Sequence, residues 1–321
     1  MSKNVTVGGA GGAIGGWLVK ELVFQGYNVK AVDIKPLEKW FQVHDCQNLD
    51  NTNLSIYENC RKAVEGSDQV FGLQCLMGGI GFIENYKAAC AYSAVMSANM
   101  LKAAVDCSVD RYFYSSSACV YSAEKQKQSE LTALKEEDIY PISPEAGYGE
   151  EKLFTESLCR YFREDYGIKT RVARYHNVYC PFSEYVGGKE KAPSAVCRKI
   201  AEAIISGKHE IEIWGNGEQT RSFMHVDDCV KGTIMIANGH YEDPINLGSS
   251  EMVTINQLVD IVEEIAGIKL KRNYNLSAPK GVNGRNSDNS LILKEFGWEP
   301  SIKLRDGMAQ LYPWVFDQIK K

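Results

Sequence analysis

No stretch of the chain holds the roughly 18 consecutive apolar residues that a membrane-spanning helix needs, because each run is broken by a glycine or a charge. A membrane bundle is excluded on that ground, and no membrane partner is expected. The beginning of the sequence, Met1–Val7, lacks a cationic n-region and a cleavage site and reads as a short strand, so no secretory leader is expected. The ten cysteines form no C-x-x-C pair, which argues against a zinc site. Without a leader they read as reduced thiols of a cytoplasmic protein. Positive charge is not in excess: 36 Lys and Arg stand against 41 Asp and Glu, a net −5. Nucleic acid is therefore not an expected partner, although a local cationic pocket for a single nucleotide stays open. Repeats and low-complexity linkers are also lacking. What is there is ordinary for a globular protein: 321 residues, 44% hydrophobic and 24% charged, long enough for two domains or one large α/β unit.

Strand and helix signals alternate through the first half. Strands are expected at Asn4–Val7, Asn28–Asp33, Gln69–Leu73, Arg111–Ser115 and Lys169–Arg174. Helices are expected at Ile14–Gln25, Asn59–Glu65, Tyr86–Cys107 (as one long element) and Gly147–Tyr166. This alternation predicts an α/β fold, a doubly wound parallel sheet with helices on both faces. Beyond residue 175 the signal loosens. Helices are expected at Ala195–Ser206, Asn256–Ile265 and Ser290–Phe296, with a strand at Glu210–Trp214. We read residues 1–174, with a return segment near 218–248, as a nucleotide-binding domain, and 175–321 as a smaller α/β substrate domain.

Gly9, Gly12 and Gly15 form G-x-x-G-x-x-G between the first strand and the first helix. One glycine permits the tight turn, one lets the backbone approach a pyrophosphate, and one lets helix and sheet pack closely, with the helix N-terminus facing the phosphates. A glycine-rich turn without ligand would look the same. Asp33, ending the next strand, stands where an acid accepts from an adenosine ribose; its charge would repel a 2′-phosphate, so NAD is favoured over NADP. Lys35 argues mildly the other way.

Tyr148 and Lys152 form a Y-x-x-x-K on one helix face, and an ammonium beside a phenol is expected to lower its pKa toward a usable general base. Ser115-Ser116-Ser117-Ala118-Cys119-Val120-Tyr121 follows a strand at the carboxyl edge of the sheet, where such folds bind ligands.

These three motifs, in this order, resemble the extended short-chain dehydrogenase/reductase family, the Rossmann-like nucleotide-sugar epimerases and dehydratases. The resemblance implies NAD bound by Gly9, Gly12, Ala13, Ile14, Gly15, Asp33, Asn53, Leu54, Tyr148 and Lys152. It implies Tyr148 as the base at a sugar hydroxyl, Lys152 on the nicotinamide ribose and Ser117 on the reacting hydroxyl. Met77–Ile83, Arg174–Tyr179, Gly187–Pro193, Gln219–Phe223 and Gly284–Asn289 are similar to the branch that inverts carbons of a GDP-hexose. By that similarity Cys119 and Lys191 form the proton-exchanging pair; which is base and which acid stays open. A thiolate is expected to be favoured at Cys119, among lysines, and partial neutrality at Lys191. Substrate contacts are implied for Gly78, Ser117, Ala118, Cys119, Asn177, Glu190, Lys191, Lys199, Gln219, Arg221 and Arg285, with the arginines suited to a diphosphate. His176 reads as structural.

The sequence departs from the pattern at Asn53, where Asp is usual, and at Gly72-Leu73-Gln74-Cys75, where N-L-A-A is usual. A 4,6-dehydratase would carry an acid where Ala118-Cys119 stands. An epimerase-reductase would pair its Cys with a His and favour NADPH. A non-catalytic NAD-binding protein would not need Ser117, Cys119, Tyr148, Lys152 and Lys191 together. Surplus apolar residues on the helices around residues 88–96 and 153–158 lead us to expect a homodimer.

Overall fold

The computed structural model describes residues 3–127, 133–278 and 281–321. Seven strands form one sheet in the spatial order Ile245–Leu247, Lys169–Tyr175, Arg111–Ser117, Gln69–Gly72, Asn4–Gly8, Asn28–Val32 and Gln47–Leu49. Every neighbouring pair is parallel. Tyr112, Phe113 and Tyr114 are successive and fully buried, as a strand covered on both faces requires. Their side chains alternate between two cores. Phe113 joins Val5, Leu18, Leu22 and Phe71 on one face. Tyr112 and Tyr114 join Val70, Met100, Leu101 and Val172 on the other.

The order in which strands are added reverses at Asn4–Gly8, which has Asn28–Val32 on one side and Gln69–Gly72 on the other. A doubly wound sheet opens a crevice at the carboxyl ends of its strands at such a point. Gly8, Gly72, Ser117 and Tyr175 all lie at that edge.

A second core is built by the helices Ala192–Ser206, Ile255–Ala266 and Leu304–Lys320, which bury Ile200, Val259 and Leu311 among others. Beside it, Glu210–Trp214 pairs in parallel with Lys271–Asn275. Thr220–Ser222 lies between Met252–Thr254 and Gly284–Arg285, which brings Arg221 and Arg285 into register on adjacent strands.

The expected long helix Tyr86–Cys107 is two helices, Lys87–Ala91 and Ser93–Asp106, joined at Tyr92. Among the elements without a sequence expectation are the edge strands Gln47–Leu49 and Ile245–Leu247 of the large sheet, the helix Val226–Asn238, and Leu304–Lys320, which carries Pro313 inside it. Among the described residues no helix is long and apolar enough to cross a membrane, and no cluster of three or more His, Cys, Asp or Glu could hold a metal.

Candidate active site

One cavity of about 1140 Å³ runs along the carboxyl edge of the sheet and under the second core. It exceeds the roughly 300–1,000 Å³ of a pocket for a single drug-sized ligand, and so has room for a dinucleotide beside a substrate. Its wall includes Gly9, Gly12, Ala13, Ile14, Gly15, Asp33, Asn53 and Leu54 at one end. Gly78, Ser117, Ala118, Cys119, Tyr148, Asn177, Glu190, Lys191, Lys199, Gln219, Arg221 and Arg285 line the rest.

At the first end the glycines answer to close contacts. A Cβ on Gly15 would lie 2.1 Å from the Gly9 carbonyl oxygen, and Gly9 itself has φ +78°. A side chain at Gly15 would lift the first helix from the loop, and one at Gly9 would strain the backbone and meet the Leu73 carbonyl oxygen at 2.9 Å. Asp33 braces this loop: its Oδ2 accepts from the Gly11 N–H at 3.0 Å and its Oδ1 from the Lys35 N–H at 3.0 Å. A carboxylate has about four acceptor sites, so lone pairs remain for a ribose diol. Asn53 accepts from the Ser55 N–H and hydroxyl, at 2.9 and 2.8 Å, which makes a local turn of its side-chain oxygen.

Lys152 is the one expected site residue that does not reach the cavity wall. It is fully buried behind Tyr148, with Nζ 3.7 Å from Glu151 Oε2 and 4.7 Å from the Tyr114 ring centre. Burial opposes its charge, but Cys75 and Glu151 more than offset that and raise its pKa, so it stays an ammonium. Its Nζ lacks a hydrogen-bond acceptor within the protein. A buried cationic donor of this kind, the tight glycine loop and the acid at Asp33 together fit a dinucleotide with its nicotinamide ribose against Lys152.

Tyr148 begins the helix Tyr148–Tyr166 and lines the same cavity as Ser117. Its phenol was expected to be lowered by Lys152. Instead burial first, then Cys75, Cys119 and Glu151, hold it well above its ordinary value. The reason is placement: Lys152 Nζ is 5.5 Å from the Tyr148 ring centre and lies nearer Tyr114.

Cys119 sits in a one-turn helix directly after the strand, where the Ser117 hydroxyl caps its N–H at 3.2 Å. The expected thiolate is not found. Burial and Glu145 push the thiol up to about 11, against the pull of Arg285. Gly149 allows the Tyr148 helix to approach, since a Cβ there would lie 2.2 Å from the Cys119 carbonyl oxygen.

Lys191 caps the helix Ala192–Ser206 at its N-terminus, with Pro193 in the first turn. Burial lowers its pKa, while Cys119 is the strongest influence the other way. The positive end of the helix also disfavours an ammonium there. Gly79 docks on this loop: its N–H donates to the Lys189 carbonyl at 3.0 Å, and a Cβ would lie 2.5 Å from the Glu190 carbonyl oxygen. Thus the Met77–Ile83 and Gly187–Pro193 motifs meet.

Several expected substrate contacts are already engaged. Glu190 accepts from the Gly188 N–H at 2.7 Å and pairs with Arg198 at 3.2 Å. Lys199 Nζ donates to the Glu212 carbonyl at 2.8 Å and lies 5.7 Å from the Trp214 ring centre. Gln219 donates to the Trp214 carbonyl at 2.8 Å. Asn177, with φ +36°, donates to the Ser222 carbonyl at 3.0 Å. Arg221 donates to the Thr220 and Val282 carbonyls, and burial beside Arg285 lowers it to about 10. Arg285, expected at a diphosphate, donates Nη1–H to Cys119 Sγ at 3.4 Å and pairs with Glu145. Glu145 had no sequence signal, since no motif includes it. His176 is structural as expected: it is buried, bonded to Asn246 Oδ1 at 2.9 Å, and lowered to about 3 by burial, hence neutral.

The sequence model of the NAD dependent epimerase/dehydratase family matches residues 5–248. A GDP-mannose 3,5-epimerase of Arabidopsis thaliana is 40% identical over 319 residues, 99% of this chain and 83% of the relative. GDP-mannose 3,5-epimerase 1 of Oryza sativa subsp. japonica is 41% identical over the same shares. A solved UDP-glucose 4-epimerase of Thermotoga maritima superposes with a TM-score of 0.87 at 23% identity, over 98% of this chain and 99% of that one. At that identity it speaks for the fold alone. The chain is therefore an NAD-dependent enzyme fold with its motifs in sequence and in space, and it belongs to the NAD dependent epimerase/dehydratase family.

Proposed function

We propose that the protein is a GDP-mannose 3,5-epimerase, converting GDP-D-mannose to GDP-L-galactose and, by inversion at C5 alone, to GDP-L-gulose. The observation that carries this reading is that a buried thiol, Cys119, and a half-buried amine, Lys191, line the same cavity as Tyr148 and Ser117. The names of the plant relatives, similar over nearly the whole chain, support the same substrate.

NAD, held by the glycine loop, Asp33 and Lys152, would supply reversible hydride acceptance at C4 of the hexose. Ser117 and Tyr148 hold the C4 hydroxyl, and Tyr148 moves its proton. Lys152 keeps an ammonium behind the phenol. With C4 at the ketone level, the C–H bonds at C5 and C3 are acidic. Inversion needs a proton taken on one face and returned on the other. Cys119 with its proton and Lys191 biased toward the neutral amine are one donor and one acceptor.

We also propose the division of labour read from the sequence: residues 1–174 with 218–248 hold NAD, and the rest of 175–321 holds the sugar nucleotide. A cytoplasmic homodimer completes the proposal. Tyr92, Phe154 and Tyr161, about half exposed near and on the Tyr148–Tyr166 helix, support a covered face there. A monomer mass in solution scattering at micromolar concentration would overturn the dimer.

The test of function is GDP-mannose incubated with the holoenzyme in D2O and followed by proton NMR. Loss of the C5 and C3 signals with new galactose or gulose resonances, and no net NADH, is expected. No exchange with NAD retained would overturn the substrate.

A further inference from the structure

Glu145 lies outside every motif, yet it is built into the wall beside Cys119. Its backbone N–H donates to the Cys119 carbonyl at 3.0 Å, so the two residues are locked main chain to main chain. Its carboxylate pairs with Arg285 Nη2, and the two side chains are only 15% and 7% exposed. The same carboxylate acts on the Cys119 thiol and raises its pKa, while the thiol's neighbourhood and Arg285 hold the carboxyl down. Arg285 closes the ring with Nη1–H on Cys119 Sγ at 3.4 Å, and its Nε–H is held by Gln126 Oε1 at 2.6 Å.

We propose that Glu145 is a positioning residue of the reaction: with Arg285 it brackets the Cys119 sulfur between one anion and one cation, and it keeps the proton on that sulfur in the resting enzyme.

The bracket acts on both protonation states. The carboxylate favours S–H by repelling S⁻. The guanidinium, fixed by Gln126, stays within reach of S⁻ once the proton has gone to a carbon. Burial is the largest influence that keeps the proton on this thiol; Glu145 adds to it and Arg285 pulls the other way, so the anion offsets the cation at the same sulfur. The other groups that face Cys119 are Lys191 from the Ala192 helix terminus, Tyr148 from its own helix and Arg221 from the strand beside Arg285. Lys191 and Arg221 favour the thiolate, and Tyr148 is neutral in the resting site. Glu145 is the one carboxylate among these neighbours, and the directions agree: it raises Cys119 while Arg285 lowers it, and Arg285 in turn holds Glu145 below the usual carboxylate value although burial pushes it up.

The inference rests on Cys119 being the proton-exchanging thiol, but its test needs no sugar. In the NAD-loaded enzyme, alkylation of Cys119 by iodoacetamide is followed across pH, with the Cys119 peptide quantified by mass spectrometry. Glu145→Gln keeps the size and hydrogen-bonding capacity and removes the charge. Its alkylation midpoint is expected to fall by about one pH unit or more, which is about a tenfold rise in thiolate below the midpoint. An unchanged midpoint with NAD retained overturns the proposal. Should Glu145→Gln fail to hold NAD, Glu145→Asp keeps the charge but withdraws it by one methylene. A smaller fall is then expected, and none overturns the proposal. With GDP-mannose, the alkaline limb of kcat for C5 exchange should move to lower pH in parallel, with KM at pH 7 little altered. A wild-type enzyme silent on GDP-mannose would sink the function while leaving the alkylation result to decide on Glu145.

Discussion

Gly79 and Glu190 are 111 residues apart in sequence, yet a methyl group cannot be placed between them, because a Cβ on Gly79 would lie 2.5 Å from the Glu190 carbonyl oxygen. The loop that presents Lys191 is therefore seated on the loop after Gln69–Gly72, and its position depends on a glycine with no chemistry of its own. Gly79→Ala should keep the fold and bound NAD. It should displace Lys191 by a fraction of an ångström to an ångström and reduce C5 and C3 exchange on the order of 10²-fold, as misplacement of an acid–base group does. Deuterium uptake by NMR checks it; full exchange in this variant would show that the two loops need not touch.

Cys119→Ser should retain NAD and lose most exchange, because a hydroxyl is a poorer acid and base at carbon. Tyr148→Phe should stop redox at C4 and every later step. Isotope exchange at C3 or C5 surviving in Tyr148→Phe would contradict the order of events, and full turnover of Cys119→Ser would remove the thiol from the mechanism.

The pH dependence follows from the same two groups. Lys191 is lowered by burial, so as pH falls it gains a proton and can no longer accept one; exchange should fall on the acid side, at a pH below the ordinary lysine value. Cys119 is raised to about 11, so it loses its proton, and the ability to give one, only as pH rises through that value. The rate of deuterium uptake should be level between those two limits. An alkaline decline that sets in near neutral pH would mean that Cys119 is not held as described.

Away from the cavity, Glu156 and Arg174 form a buried pair in which Arg174 Nε–H and Nη2–H donate to the two carboxylate oxygens at 3.0 and 2.8 Å, with Ser116 donating to the same group at 2.5 Å. Glu156→Gln leaves a buried guanidinium without its anion. A loss of about 3–5 kcal/mol is expected in urea unfolding monitored by circular dichroism. A change under about 1 kcal/mol would show that the neighbouring Tyr121 hydroxyl and Glu136 carbonyl, also bonded to Arg174, suffice.

The sheet was legible because its central strands are short apolar runs set between helices of ordinary length, and the cofactor loop because its glycines have backbone reasons. Pro313 hid the last helix, since a proline reads as a helix end when only local rules are applied. Gln47–Leu49 and Ile245–Leu247 are three residues each, too short for a period to show, and exist through pairing with distant strands. In the site, the proposed acid–base side chains came from a resemblance that carries no information about their protonation. Cys119 is governed by Glu145 and Arg285, which approach from different parts of the chain, and Tyr148 by a burial that no spacing reveals. Arg285 was assigned to phosphate because arginine suits phosphate; its carboxylate partner became visible only once the chain was folded.

The sheet is completed at one edge by Ile245–Leu247, laid alongside Lys169–Tyr175. The Asn246 side chain then ties together His176, Tyr121 and the Leu134 carbonyl. A ribosome must therefore release most of the chain before the nucleotide-binding layer can close, and part of the second core, Ala192–Ser206 and Glu210–Trp214, is made between the sheet's last two strands while the rest follows them. The two halves cannot be exchanged as a head and a tail. A hybrid cut near residue 174 would inherit an open strand edge, and any viable recombination between such enzymes has to carry both crossings together.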